Sequence, residues 1–160
     1  MTGQRARAAG QAQTAGAQAL FHRVLPADRM SVRQTLTDLN ARLSPHVSAD
    51  VMGRVELVLA EVMNNIVLHG AEDAAAFRRI HLSAACHRNG VACAITDDGV
   101  RLPGACLAPP PARDLPPDAP LPEGGFGWLI IHDLTQSLAY FREDQRNLLA
   151  FNIPLLTEPQ

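Results

Sequence analysis

Apolar residues recur along this chain with two periods, and the change from one to the other divides it into elements. Val32, Leu36, Leu39 and Leu43 stand three and four apart, which predicts a helix with one buried stripe. Asp28 can cap its start, and Ser44-Pro45 ends it. A second, longer stripe comprises Val51, Val55, Val58, Val62 and Ile66, with Met52, Leu59 and Met63 beside it. Such a helix is apolar over much of its circumference and is expected to lie largely buried. Ser48 or Asp50 can cap it; it reaches about His69, and Gly70 is a natural stop.

Elsewhere the pattern shortens. The run 20–25 ends at Pro26 and suits an edge strand. Segments 79–87 and 91–96 read as two strands around Arg88-Asn89-Gly90, since Asn-Gly between apolar segments is a strong hairpin signal. Residues 126–134 read as a short helix. Segments 137–141 and 148–153 read as a last hairpin around 142–147. Helices beside mostly antiparallel strands make the class α+β. Residues 1–19 have no Leu, Ile, Val or aromatic side chain and are expected to form a flexible tail ahead of one domain over 20–156. The stretch 99–123 holds eight of the twelve prolines and little apolar periodicity. A loop of that length inside a compact domain is expected to be a functional lid, here about 99–125.

Composition narrows the function. At 160 residues the chain can bury a sizeable core, and a formal net charge of −2 directs it to neither nucleic acid nor anionic membrane. All fourteen basic residues are arginine. The absence of lysine excludes a P-loop and any Schiff-base chemistry. The three cysteines, Cys86, Cys93 and Cys106, lack CxxC spacing and read as reduced thiols of a cytosolic protein, with Cys86 and Cys93 packed in a hairpin. The six histidines form no close metal-binding pair on a helix, and no apolar run is long enough to cross a bilayer.

Three short segments carry candidate chemistry. Glu61 and Asn65 are four apart, so they share a helix face inside an apolar stretch, where two polar groups need partners. One arrangement is a pair bonded to a neighbouring loop. The other is a site: magnesium accepts a single protein oxygen beside waters and phosphates, and a nearby carboxylate can take a proton from a hydroxyl. Asn64 is expected to face outward; His69, one turn on, could touch phosphate or bond the helix end. Asp97 ends a strand and can accept from an exocyclic amine, while Gly99 lets a purine approach backbone; Asp-Asp-Gly is equally a turn sequence, with Asp98 solvated. Gly124, Gly125 and Gly127 open the 126–134 helix, where backbone N–H groups attract phosphate, or else hinge the lid. Arg101 and Arg113 could reach phosphates from the loop or stay solvated.

Taken together, Glu-x-x-x-Asn-x-x-x-His-Gly, then Asp-x-Gly, then Gly-x-Gly before a helix resembles the Bergerat-fold ATP-binding domain of histidine kinases, gyrase-type ATPases, Hsp90 and MutL. Within that group the chain looks most like the small bacterial anti-sigma-factor serine/threonine kinases, over about 20–154. The resemblance implies a two-layer sandwich in which a mixed, mostly antiparallel sheet packs on helices. It implies ATP and Mg2+ as cofactors, Asn65 as the metal ligand, Glu61 as the catalytic base, Asp97 with Gly99 as the adenine reader, and Gly125 and Gly127 as the phosphate turn. It also implies a sigma factor and a STAS-type antagonist as partners, the latter phosphorylated on serine, and a homodimer in many members. The sequence departs from the family where Arg101 stands in place of a second glycine, and the proline-packed lid is a further oddity. Both keep open an alternative, an ATP-regulated binding module of the same fold without transfer chemistry.

Overall fold

A computed structural model describes residues 19–70, 78–102 and 126–155. The elements run β1 (Ala19–Pro26), α1 (Arg29–Leu43), α2 (Ala49–Gly70), β2 (Arg79–His87), β3 (Gly90–Asp97), α3 (Phe126–Leu134), β4 (Gln136–Glu143) and β5 (Arg146–Pro154). The five strands form one sheet in the order β1-β2-β3-β5-β4, with the helices packed against it as an α+β sandwich. Among the described residues all four pairings are antiparallel, where the resemblance implied a mixed, mostly antiparallel sheet. The reason lies in the connections: β2–β3 and β4–β5 are tight hairpins, and β5 inserts between β3 and β4 running opposite to both.

Local signals account for the helix starts. Asp28 caps α1, its carboxylate accepting from the Ser31 N–H at 2.7 Å. Ser48 caps α2 through the Val51 N–H at 3.2 Å, whereas Asp50 forms an ion pair with Arg54 at 2.7 Å. On α1 the buried positions are Val32, Thr35, Leu39 and Leu43; Leu36 is only partly covered, because the contact with α2 and β1 favours the Thr35 side of the stripe. The α2 stripe is buried from Val51 through Met63, with Val55, Val58, Leu59 and Met63 fully covered. These side chains meet Ile80 and Leu82 of β2, Val91 and Ile95 of β3, and Phe151 and Ile153 of β5 in one core. Leu59 at its centre is a position where truncation to alanine costs about 2–5 kcal/mol.

Both hairpins are tighter than their spacing suggested. Gly90 adopts φ +147, and a Cβ there would collide with the Ile153 carbonyl, so glycine is required by both backbone and neighbour. The β4–β5 turn consists of Asp144 and Gln145 alone, both left-handed at φ 51 and 64. Cys86 and Cys93 are buried free thiols, and burial pushes Cys93 up to about 12, which makes it an inert packing group. No described helix is long and apolar enough to cross a membrane. The residues 1–18, most of the expected lid, Cys106, Arg113, Gly124 and Gly125 lie outside the described residues.

Candidate nucleotide site

The last turns of α2 rise beside the end of β3, and α3 closes over them. Between these elements lies a cavity of about 110 Å³, lined by Val62, Asn65, Ile66 and His69 of α2, Ile95 and Asp97 of β3, Arg78, the 99–102 segment, Trp128, and Tyr140, Asn147 and Leu149 of the last hairpin. That volume is of the order of an apolar cavity that admits a benzene-sized ring, roughly 150 Å³. Aliphatic and aromatic side chains make up much of its wall, and Asn65, His69, Arg78, Asp97, Arg101, Tyr140 and Asn147 bring polar groups to it.

At one end stand Glu61 and Asn65. Helical spacing puts them on the same face, and the first turn of α3 lies directly over them. A Cβ on Gly127 would sit 2.5 Å from Glu61 Oε2 and 3.6 Å from Asn65 Nδ2, so the α3 backbone lies close against both side chains. Asn65 is half-buried and lines the cavity rather than turning into packed hydrocarbon. His69 is exposed at the rim, and Asn64 is exposed on another face, as expected.

At the other end Asp97 is buried. Its Oδ2 accepts the Gly99 N–H at 2.9 Å and the Asn147 amide at 3.4 Å; Oδ1 takes part in neither bond. Burial raises its pKa above the ordinary carboxylate value; the Gly99 and Asn147 bonds and the Arg78 charge oppose this, and Asp98 adds to it. Gly99 serves a purpose that spacing alone did not reveal: a Cβ there would stand 2.6 Å from Asp97 Oδ2 and 3.2 Å from Arg78 Nη1. The missing side chain makes room for the carboxylate itself, which lets the Gly99 N–H cap it.

Several lining residues escaped the sequence reading. Asn147 is the Cα partner of Asp97 across β3 and β5, and of Arg142 across β5 and β4. Its Oδ1 accepts from the Tyr140 hydroxyl at 2.5 Å and Arg142 Nη1 at 2.7 Å, and its Nδ2 donates to the Val100 carbonyl at 2.9 Å. Arg142 also donates to the Gly99 carbonyl at 3.0 Å, and the Leu102 N–H donates to the Tyr140 hydroxyl at 3.2 Å. The start of the expected lid is thus pinned to the last hairpin. Trp128 supplies an aromatic wall beside His132, their ring centroids 6.4 Å apart. Arg101, at the departing position, lines the cavity too.

The donor set suits a magnesium–phosphate ligand. A single half-buried amide next to one carboxylate under Gly127 of α3 offers hard oxygens and leaves the remaining positions to water and phosphate. Among the described residues no group of three or more His, Cys, Asp or Glu could hold a metal alone.

The cavity thus brings Trp128 and Tyr140 together with the Asp97 carboxylate, and Glu61 and Asn65 stand beside it against Gly127. Over residues 24–153 the chain matches the family described as the histidine kinase-like ATPase domain, and it belongs to that family. It is therefore a GHKL-type module, whose members bind ATP, usually with Mg2+. No curated protein matches the chain.

Proposed function

We propose that this protein is an ATP-dependent serine/threonine kinase of the anti-sigma-factor type, which binds a sigma factor and phosphorylates a STAS-type antagonist. The observation that carries it is Glu61 beside Asn65 under Gly127: a module that only held nucleotide would need the amide, not a carboxylate placed with it. Asp97 and Trp128 would hold the base, and the first turn of α3 would meet the phosphates through backbone N–H groups. Asn65 would hold magnesium, which supplies positive charge to the phosphates. Glu61 would then accept the proton of the acceptor hydroxyl as that oxygen bonds to the γ-phosphorus and the bond to the β-phosphate oxygen breaks, releasing ADP.

Phosphate transfer from ATP to a cognate STAS protein is the direct test. Glu61→Gln is expected to lower the transfer rate by about 10²–10⁴-fold while leaving Mg-ATP binding in place. Transfer that survives the change removes Glu61 from the base role.

A second reading is a nucleotide-regulated binding module, in which ATP orders one face and that face holds a partner. Arg101 at the cavity favours it, because a long cation stands where the family motif has glycine. Calorimetric ATP binding with no phosphorylated product after long incubation with the partners would support it over the kinase.

A further inference from the structure

Asn147 has a side chain whose two ends are told apart by their neighbours. Arginine has no acceptor, so the atom facing Arg142 Nη1 at 2.7 Å must be the carbonyl oxygen, and the Tyr140 hydroxyl at 2.5 Å donates to the same atom. The amide NH2 is therefore forced to the other side, where every neighbour is an acceptor: Asp97 Oδ2, the Gly99 carbonyl and the Val100 carbonyl, at 3.4, 3.4 and 2.9 Å. The group is buried, and its backbone lies directly opposite Asp97 in the sheet, so it cannot swing away.

The consequence falls on Asp97. With Oδ2 engaged by the Gly99 N–H and the Asn147 amide, the carboxylate is fixed in rotation and Oδ1 is the atom left for a ligand. From this geometry we infer that Asn147, locked by Tyr140 and Arg142, is a positioning residue for base selection: it makes the floor of the cavity an oriented acceptor that selects a purine bearing a 6-amino group. This rests on the reading of the cavity as a nucleotide site. A site built around one oriented acceptor discriminates strongly against an analogue that lacks the matching donor, because the acceptor is then left buried and unpaired.

The test compares ATP with purine riboside 5′-triphosphate, which lacks only the amine, by calorimetry in Mg2+. Wild type is expected to prefer ATP by at least about tenfold. Asn147→Asp keeps an oxygen for Tyr140 and Arg142 but turns an acceptor towards Asp97. It is expected to bring the two affinities within about threefold of each other, by weakening ATP more than the analogue. Tyr140→Phe removes one of the two locking donors without touching Asp97, and a narrowed preference is expected there too; it carries the test should the Asp variant fail to fold. A variant that weakens both nucleotides equally and keeps the wild-type preference shows a purely structural Asn147 and overturns the inference alone. Wild type that binds neither nucleotide overturns the nucleotide reading and this inference together.

Discussion

Two residues show how single atoms set this site. Gly127 brings the α3 backbone against Glu61 and Asn65, and the group an added Cβ would strike, Glu61 Oε2 at 2.5 Å, is the mobile end of a long side chain. Gly127→Ala is therefore expected to displace the carboxylate rather than the helices. Its melting temperature should stay within about 2 °C of wild type, while phosphate transfer falls by at least about tenfold. Thermal melts paired with a transfer assay check both halves. Asp97 gives a pH-dependent counterpart. Burial is the main cause of its raised pKa, so the folded chain holds that proton more tightly than the unfolded chain. The cost of the buried charge is full above the folded pKa and fades as pH falls through it towards the unfolded value. Asp97→Asn removes this cost, so its melting temperature relative to wild type should be highest at neutral pH and should drop back on acidification. A gap that widens at low pH would contradict this. The new amide can direct its oxygen to the Gly99 N–H only by turning its NH2 to the cavity. Affinity for adenine nucleotides should therefore fall by at least about tenfold in the same protein.

The helices and hairpins follow their local signals closely, and they depart from them where packing decides instead. The α2 stripe, its Ser48 cap and the α3 span 126–134 agree with periodicity and capping chemistry. At the two hairpins the outcomes diverge. Asn89-Gly90 suits its turn, whereas Asp144-Gln145 holds two left-handed residues without a glycine. A left-handed non-glycine residue costs roughly 1–2 kcal/mol, and part of any gain on replacement is offset by the looser unfolded chain. Gln145→Gly is expected to raise stability by about 1 kcal/mol, a rise of about 2–4 °C in melting temperature for a domain of this size. A lower melting temperature would show that the strands impose a different geometry on the turn. No glycine or proline marks 144–145, so local signals do not place the tight turn there and spacing alone gives the longer connection 142–147.

For the molecule as a whole, the sheet order gathers the site. Inserting β5 between β3 and β4 places Asp97, Asn147 and Arg142 in one row, although they come from three strands. α2 supplies the opposite wall, so ligand binding should stabilise the entire domain rather than a loop. At one hundred times the dissociation constant, Mg-ATP is expected to add about 2.7 kcal/mol to the folding free energy. Asn65→Ala should lose the part of that gain that depends on Mg2+, read as melts with ATP in magnesium and in EDTA. A shift that is the same in both media for wild type would place the metal ligand elsewhere.

Periodicity along the chain was enough to give the α+β class, the long buried helix and both hairpins, because those depend on neighbours within a few residues. Motif order pointed to Glu61, Asn65 and Asp97 for the same reason: each sits where a helix face or a strand end must present it. Strand order, the wholly antiparallel pairing and the Tyr140–Arg142–Asn147 cluster have no such local mark. Asn147 lies fifty positions from Asp97, and an asparagine in an apolar strand has the same spacing whether it meets water or a carboxylate. Its role arises from long-range register, which follows from how all the apolar faces bury together. The cavity likewise exists only once α2, α3 and the last hairpin have closed on one another.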